Sequence, residues 1–468
     1  MSAWNLLGLL LAAVVAVQPV PAPAQQADTP PMGVLELREK AGQAYFKEDY
    51  AAFRDAMVTL HQLRPNNSEY MYRLVLAHAL MNDLRPAFDM MLRMQQQGLH
   101  YDFDQTEDSR SLRDTEVYGY LNNLMKIAGE PVGTVEEVAL LDADVRFPEG
   151  LAWDPTREAY LVGTVTDGLV LSVSESGERR ELLRAGSENG MWSVFDLLVD
   201  AARNRLWVSS SAHPNFSGFD PVDAGRSALF EFTLDDLELV RRYPVPVDGL
   251  RHNLGNLAQA PNGDIYAADS RVPLVYLKPA GADRMRPLFT SPRLVSLRGL
   301  ALSDDGESLY VADYEVGIVR FDIPSQQLGP VGRPGTLNLG GIDGLYYWNG
   351  HLVIIQNGIS PQRIMRLKLD DAGTAIESVS PMAASLDVFD MPNYGTVRGD
   401  ELVFFANSHW NDAPDQLSPV RIVRANIAEA RELVSPEMQD FLRKQEEKQR
   451  LQPPFRLPSA EEDPGSGG

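Results

Sequence analysis

The stretch Leu300-Ala301-Leu302-Ser303-Asp304-Asp305-Gly306-Glu307-Ser308-Leu309-Tyr310-Val311-Ala312-Asp313 decides the fold. An apolar run meets an Asp-Gly pair, and a second apolar run follows that closes on an aspartate. Glycine accepts the positive φ of a tight hairpin turn, so the segment reads as two antiparallel strands. The same unit recurs on the anchors Tyr160, Trp207, Tyr266, Tyr310, Ile354 and Phe404, which are spaced by 44 to 59 residues. Asn262-Gly263, Asn349-Gly350 and Arg398-Gly399-Asp400 supply equivalent turns. That period is the length of one four-stranded blade, and six copies predict a propeller around a central channel.

Working outward, the last copy, Tyr394 to Ile427, is one strand short, whereas Val135 to Leu141 is strand-like and precedes the first full copy. The early strand is therefore expected to complete the sixth blade, which leaves no open sheet edge. Before it, Val34 to Met125 shows apolar residues at three- and four-residue spacing, the signature of helices. Asp49 recurs as Asp83, Phe53 as Ala87 and Leu60 as Met94, each at the 34-residue tetratricopeptide period. The fold class is thus mainly β with an all-α N-terminal module. The expected divisions are a signal peptide at 1–24, a tetratricopeptide-like helical repeat module at 33–128, a six-bladed propeller at 135–430, and a charged helix with a disordered tail at 431–468.

The leader rests on the apolar run Leu6 to Val17 and the small residues before Gln25, which predict export to the periplasm or the exterior. No later run is long enough to span a bilayer. The 468 residues include no cysteine, which excludes disulfides, thiol nucleophiles and thiolate metal sites. A formal net charge of −23 argues against nucleic acid as a partner. It suits a small neutral molecule, a cation or a basic patch on a protein; the expected partners are a small molecule at the channel mouth and a protein held by the helical module.

When the six inner strands are aligned on Leu151, Leu198, Leu257, Leu300, Leu345 and Thr396, the position two residues earlier reads Glu149, Asp196, Gly255, Arg298, Asp343 and Tyr394. Asn256 and Asn393 stand beside it in the third and sixth copies. Three residues past the anchors come Gly163, Ser210, Asp269, Asp313, Asn357 and Asn407. Both sets fall at one rim. Several carboxylates buried together require a cation or hydrogen bonds to offset their charge. Asp269 and Asp313 also suit a structural duty, in which the carboxylate accepts backbone N–H groups at a strand end. His213, His252 and His409 lie in loops on the same rim, and with Asp196 they are the candidate general bases. The long segment Ser211 to Arg226 is a candidate lid.

The stretch Phe147-Pro148-Glu149-Gly150-Leu151-Ala152-Trp153-Asp154-Pro155 resembles the opening motif of the SMP-30/gluconolactonase/LRE propellers. The blade unit at 300–313 and Ile342-Asp343-Gly344-Leu345 resemble further elements of that family, and the resemblance covers about residues 135 to 430. It implies a divalent cation, often calcium, at the channel mouth, and lactone hydrolysis. Residue by residue, it implies metal ligation by Glu149 and Asp343, with Asn256, or alternatively Asn253, as the third-blade asparagine. Arg298 stands where the family places its fourth-blade asparagine. Arg298, Asn357, Asn393, Asn407, Asp269 and Asp313 are then candidate ligand-binding residues. Two functions follow as expectations: an exported lactone or ester hydrolase, or a non-catalytic envelope protein that binds a ligand in the propeller and a protein on the helices.

Overall fold

The computed structural model describes residues 33–413 and 416–430. The expected leader at 1–24 and the charged tail from 431 lie outside the described residues. Among these, no helix is long and apolar enough to cross a membrane.

Six antiparallel sheets form the blades of a β-propeller. Their inner strands are Pro148–Asp154, Ser193–Asp200, Leu254–Gln259, Leu297–Leu302, Ile342–Trp348 and Asn393–Arg398. Each touches the next around the channel, and the last packs back onto the first. The six anchors occupy the second strands and are almost fully buried between blades. The hairpin turns have the expected chemistry. Asn349 and Gly350 both take positive φ (45° and 75°), as a two-residue turn matched to strand twist requires.

Closure occurs as the sequence predicts. Strand β2 (Glu136–Leu141) pairs with Val420–Asn426 and completes blade 6. The short strand β1 (Val132–Gly133) adds a fifth strand to blade 5 through Val132 and Ala384, a feature the sequence did not signal.

All six inner strands carry a bulge at the same height. The pairing skips Gly150, Phe195, Gly255-Asn256, Arg298, Asp343 and Tyr394 in turn. A bulge leaves one residue unpaired and re-aims its side chain. In blade 1 it also permits a close approach, because a Cβ on Gly150 (φ 70°) would lie 2.7 Å from the Asp196 Cα. The bulges correct the sequence alignment. Arg298, Asp343 and Tyr394 are bulge residues, whereas Glu149 precedes its bulge and Asp196 follows its own. A periodicity of two cannot register one inserted residue, so a strict count drifts by one at each bulge.

The helical module contains two hairpins, α1 (Val34–Phe46) with α2 (Tyr50–Leu63) and α3 (Ser68–Leu80) with α4 (Leu84–Gln96). Their starts repeat at the expected 34-residue period. Asp49 and Asp83 are both helix N-caps, and Phe53, Ala87, Leu60 and Met94 are all buried. The third unit departs from the pattern. Short 3-10 turns at Phe103–Gln105 and Glu107–Leu112 replace its first helix, and α5 (Glu116–Ile127) follows.

The module docks on blades 4 and 5, on the face where the inner strands begin. Asn66 Nδ2 donates to the Val316 carbonyl (2.6 Å), and Arg333 donates to Asn66 Oδ1 (2.8 Å). Ile359 of the propeller enters the apolar core of the helices. Arg363, fully buried, donates to the Gln97 carbonyl and to Gln356, and burial lowers its pKa to about 10.

Candidate functional site

The channel has two compartments. Tyr394, the bulge residue of blade 6, sends its phenol across to blade 3, where a Cβ built on Gly255 would stand 3.6 Å from the hydroxyl. Above Tyr394, at the face carrying the helices, lies a charged mouth. Below it, a cavity of about 410 Å³ opens toward the hairpin-turn face.

At the mouth, Glu149 is buried and its Oε1 accepts from Asn393 Nδ2 (3.1 Å) and from the Trp410 indole. Its Oε2 has no partner among the described residues. Burial raises the Glu149 pKa to about 8, helped by the nearby Asp343 carboxylate and opposed by Trp410 and Arg298. Asp343 accepts from Asn357 Nδ2 (2.7 Å) and faces the Arg298 guanidinium at 3.7 Å. Burial raises its pKa too, while Arg298 and Asn357 act in the opposite sense. Arg298 is held by Ser296 Oγ (3.1 Å) and lies 5.6 Å from the Tyr314 ring centroid, yet 42% of its side chain remains exposed. Tyr314 in turn donates to Asn357 Oδ1 (3.1 Å), which ties the group together. The orphan of the set is Asn393 Oδ1, buried without a donor.

Aromatic rings wall the mouth. The Phe147 ring meets His409 and Trp410 edge-on, and His213 stands edge-on to both Phe195 and Trp410. Trp410 was missed in the sequence reading because it lies in the loop after the last anchor, outside any repeated position.

The remaining expected residues divide by what they bond. Asp196 and Asn256 line the lower cavity. The two Asp196 oxygens accept from the backbone N–H groups of Leu197 and Leu257, both at 2.8 Å, while burial lifts its pKa to about 7. Asn256 has no hydrogen-bond partner among the described residues. His409 Nδ1 accepts from the Phe147 N–H (2.9 Å), so its Nε2 carries the proton that reaches the Ser418 carbonyl (2.6 Å). His252 is clamped between Asp269 (2.7 Å) and Asp248 (3.1 Å). Both rings are committed to loop architecture. His213 differs: its Nδ1 accepts from the Asn215 N–H (3.2 Å), which places the neutral-form proton on a free Nε2, and burial lowers its pKa. In that tautomer it is a donor rather than a base.

Asp313 accepts four backbone N–H groups, from Val295, Ser296, Glu315 and Val316. Asp269 accepts three, besides its bond to His252. Asn407 bonds locally to the Pro419 carbonyl and the Arg421 N–H. These three brace loops. The segment expected as a lid is pinned, with Ser217 N–H on the Thr166 carbonyl (2.8 Å) and Phe216 packed against the core of blades 1 and 2.

No protein-family model matches the chain, and no curated protein sequence matches it. Solved structures do. A gluconolactonase is among them. This enzyme of Xanthomonas campestris is 16% identical, with 61% of this chain and 89% of that one covered and a TM-score of 0.38. The PQQ-bound aldose sugar dehydrogenase of Streptomyces coelicolor is 16% identical, covering 64% and 98%, with a TM-score of 0.44. Virginiamycin B lyase of Staphylococcus aureus is 11% identical, covering 63% and 99%, with a TM-score of 0.40.

The divalent cation implied by the sequence resemblance does not fit the residues present. The described residues contain no group of three His, Asp or Glu placed to hold a metal. Asn256 belongs to the lower cavity, and the Arg298 guanidinium already faces Asp343. A guanidinium cannot coordinate a metal and supplies the offsetting positive charge itself.

Proposed function

We propose that the channel mouth binds a small carbonyl compound, a lactone or an ester, and hydrolyses it with Arg298 as the electrophile and Glu149 as the proton-exchanging group. The observation that carries this reading is that one mouth holds a partly exposed guanidinium, Arg298, paired with Asp343, and a buried carboxyl, Glu149, whose Oε2 has no partner among the described residues and which feels the Arg298 charge. Arg298 N–H groups would donate to the carbonyl oxygen, where negative charge develops as water adds. Ionised Glu149 would take the proton from that water and return it to the departing alkoxide. Asp343 and Tyr314 orient the guanidinium, while Asn393 and Trp410 fix the carboxyl. The proton on His213 Nε2 is a further donor at the wall.

Because Glu149 ionises near pH 8, a reaction that uses it as base speeds up as pH rises through that value. A lactone and ester panel, run with calcium and with chelator, tests the reading. Arg298→Ala should lower kcat/KM about 100-fold or more, as loss of an oxyanion donor does. Chelator should change nothing. Activity that needs calcium and survives Arg298→Ala would overturn the assignment and restore a metal.

A second reading has its own support. The mouth carboxylates already have protein donors, and the helical module docks beside them, as suits a ligand-binding scaffold with a protein on the helices. Saturable binding by the full chain with no turnover across the panel would favour it. Under either reading we infer export from the apolar run Leu6 to Val17, which N-terminal analysis of the mature protein tests.

A further inference from the structure

On the hairpin-turn face, away from the mouth, a cleft of about 460 Å³ separates blades 2 and 3. Lys278, from the third strand of blade 3, lines it and is 5% exposed. Its Nζ lies over the rings of Trp207 (4.8 Å) and Tyr243 (5.2 Å) of blade 2. Among the described residues it has no carboxylate partner and no hydrogen bond. The nearby Glu231 is already taken, by Arg205 Nε (2.7 Å) and by the Tyr243 hydroxyl (2.6 Å). Asp200 is likewise held by Arg203 (3.0 Å). Arg241, exposed on the same cleft, also lacks a carboxylate partner among the described residues. The cleft thus presents two unpaired cations on a protein of strongly negative net charge.

A buried ammonium over aromatic faces gains some cation–π stabilisation. It still lacks the counter-charge that a buried charge ordinarily has. We propose that this cleft is a binding site for a small oxyanion, a phosphate or a carboxylate, with Lys278 at its floor and Arg241 at its rim. The ligand oxygen supplies the acceptor that Lys278 lacks, and Arg241 closes over it from the water side. Burial is the main influence lowering the Lys278 pKa; Glu231 and Asp264 favour its charge, and Arg241 and Arg205 oppose it. Bound oxyanion joins the first pair, so binding draws a proton onto Lys278 and weakens as pH rises.

Inorganic phosphate and succinate, titrated into the full chain by calorimetry against chloride at matched ionic strength, test this. Binding of at least one is expected, with affinity falling as the pH is raised into the alkaline range, and the stronger of the two identifies the source. Arg241→Ala, an exposed change, should weaken it about three- to tenfold. Lys278→Met should abolish it. If that variant does not fold, acetylation of Lys278 read by peptide mass spectrometry replaces it, and the bound anion should protect the amine. No heat from either anion, an equal effect of chloride, full binding by Lys278→Met, or unprotected acetylation would each overturn the site.

Discussion

Two rings of acidic residues meet at the same rim and behave oppositely. The outer ring, at the ends of the second strands, holds Asp269 and Asp313, whose oxygens are saturated by backbone N–H groups and, at Asp269 Oδ2, by His252. The inner ring, at or just before the bulges, holds Glu149 and Asp343, which have only side-chain partners: Asn393 and Trp410 for the first, Asn357 and the Arg298 guanidinium for the second. Donor supply, rather than residue type or burial, separates a carboxylate that builds a loop from one that keeps chemical freedom. A loop that wraps its carboxylate satisfies it completely. Asp343, on its bulge, and Glu149, just before its own, instead take their donors from side chains at the channel mouth.

The sharpest break would come from exchanging their expected roles. Asp313→Ala removes the acceptor of four part-buried N–H groups, so stability should fall by about 2–3 kcal/mol, visible as a large drop in Tm. Glu149→Gln keeps shape and acceptor, and should shift stability by about 1 kcal/mol at most while removing turnover. Equal stability losses in the two variants would erase the distinction between the rings.

A smaller effect sharpens it through pH. Glu149 and Asp196 hold protons up to about pH 8 and about pH 7, well above the unfolded carboxyl range. The folded state therefore binds more protons than the unfolded one in between. Their stabilising contribution is complete below about pH 4 and is lost as pH rises through 7 to 8. Tm should decline from pH 5 to pH 8.5, and the double variant Glu149→Gln/Asp196→Asn should decline less. An unchanged slope would mean that neither group titrates as its surroundings dictate.

The smallest effect concerns two histidines of the aromatic wall, His409 against Phe147 and His213 against Phe195 and Trp410. His409→Ala breaks a bond at each ring nitrogen and should cost about 1–2 kcal/mol of stability. His213→Ala should leave Tm nearly unchanged and raise KM a few-fold. A stability loss from His213→Ala as large as that from His409→Ala would place both in the scaffold.

The blade count, the closing strand, the hairpin turns and the 34-residue helical period were legible in the sequence, because all four are local or repetitive. Glu149, Asp343 and Arg298 were legible for the same reason: charged residues stand out at the start of apolar strands. What escaped was non-local. Trp410 reaches Glu149 across 261 residues of chain. Nothing in the run Asn393-Tyr394-Gly395 says that the phenol will divide the channel. The docking of helices on blades 4 and 5 rests on Asn66, Gln97 and Arg363, polar residues that look solvated until the partner surface is known. One signal was available: glycine directly follows Arg298, Asp343 and Tyr394, the residues that bulge.

The pairing of β2 with the last strand also sets a clock. Glu136 leaves the ribosome 288 residues ahead of its partner Arg424. At about 5–20 residues per second that interval is roughly 15–60 s. Throughout it, five blades can assemble while the ring gapes, with β2 waiting unmatched at one side of the gap. The helices, whose contacts are mostly local, fold early and flank the waiting strand. Ring closure is thus the last step in assembling the propeller, and a chain interrupted before the closing strand is left with an open sheet edge ready to pair with a neighbour.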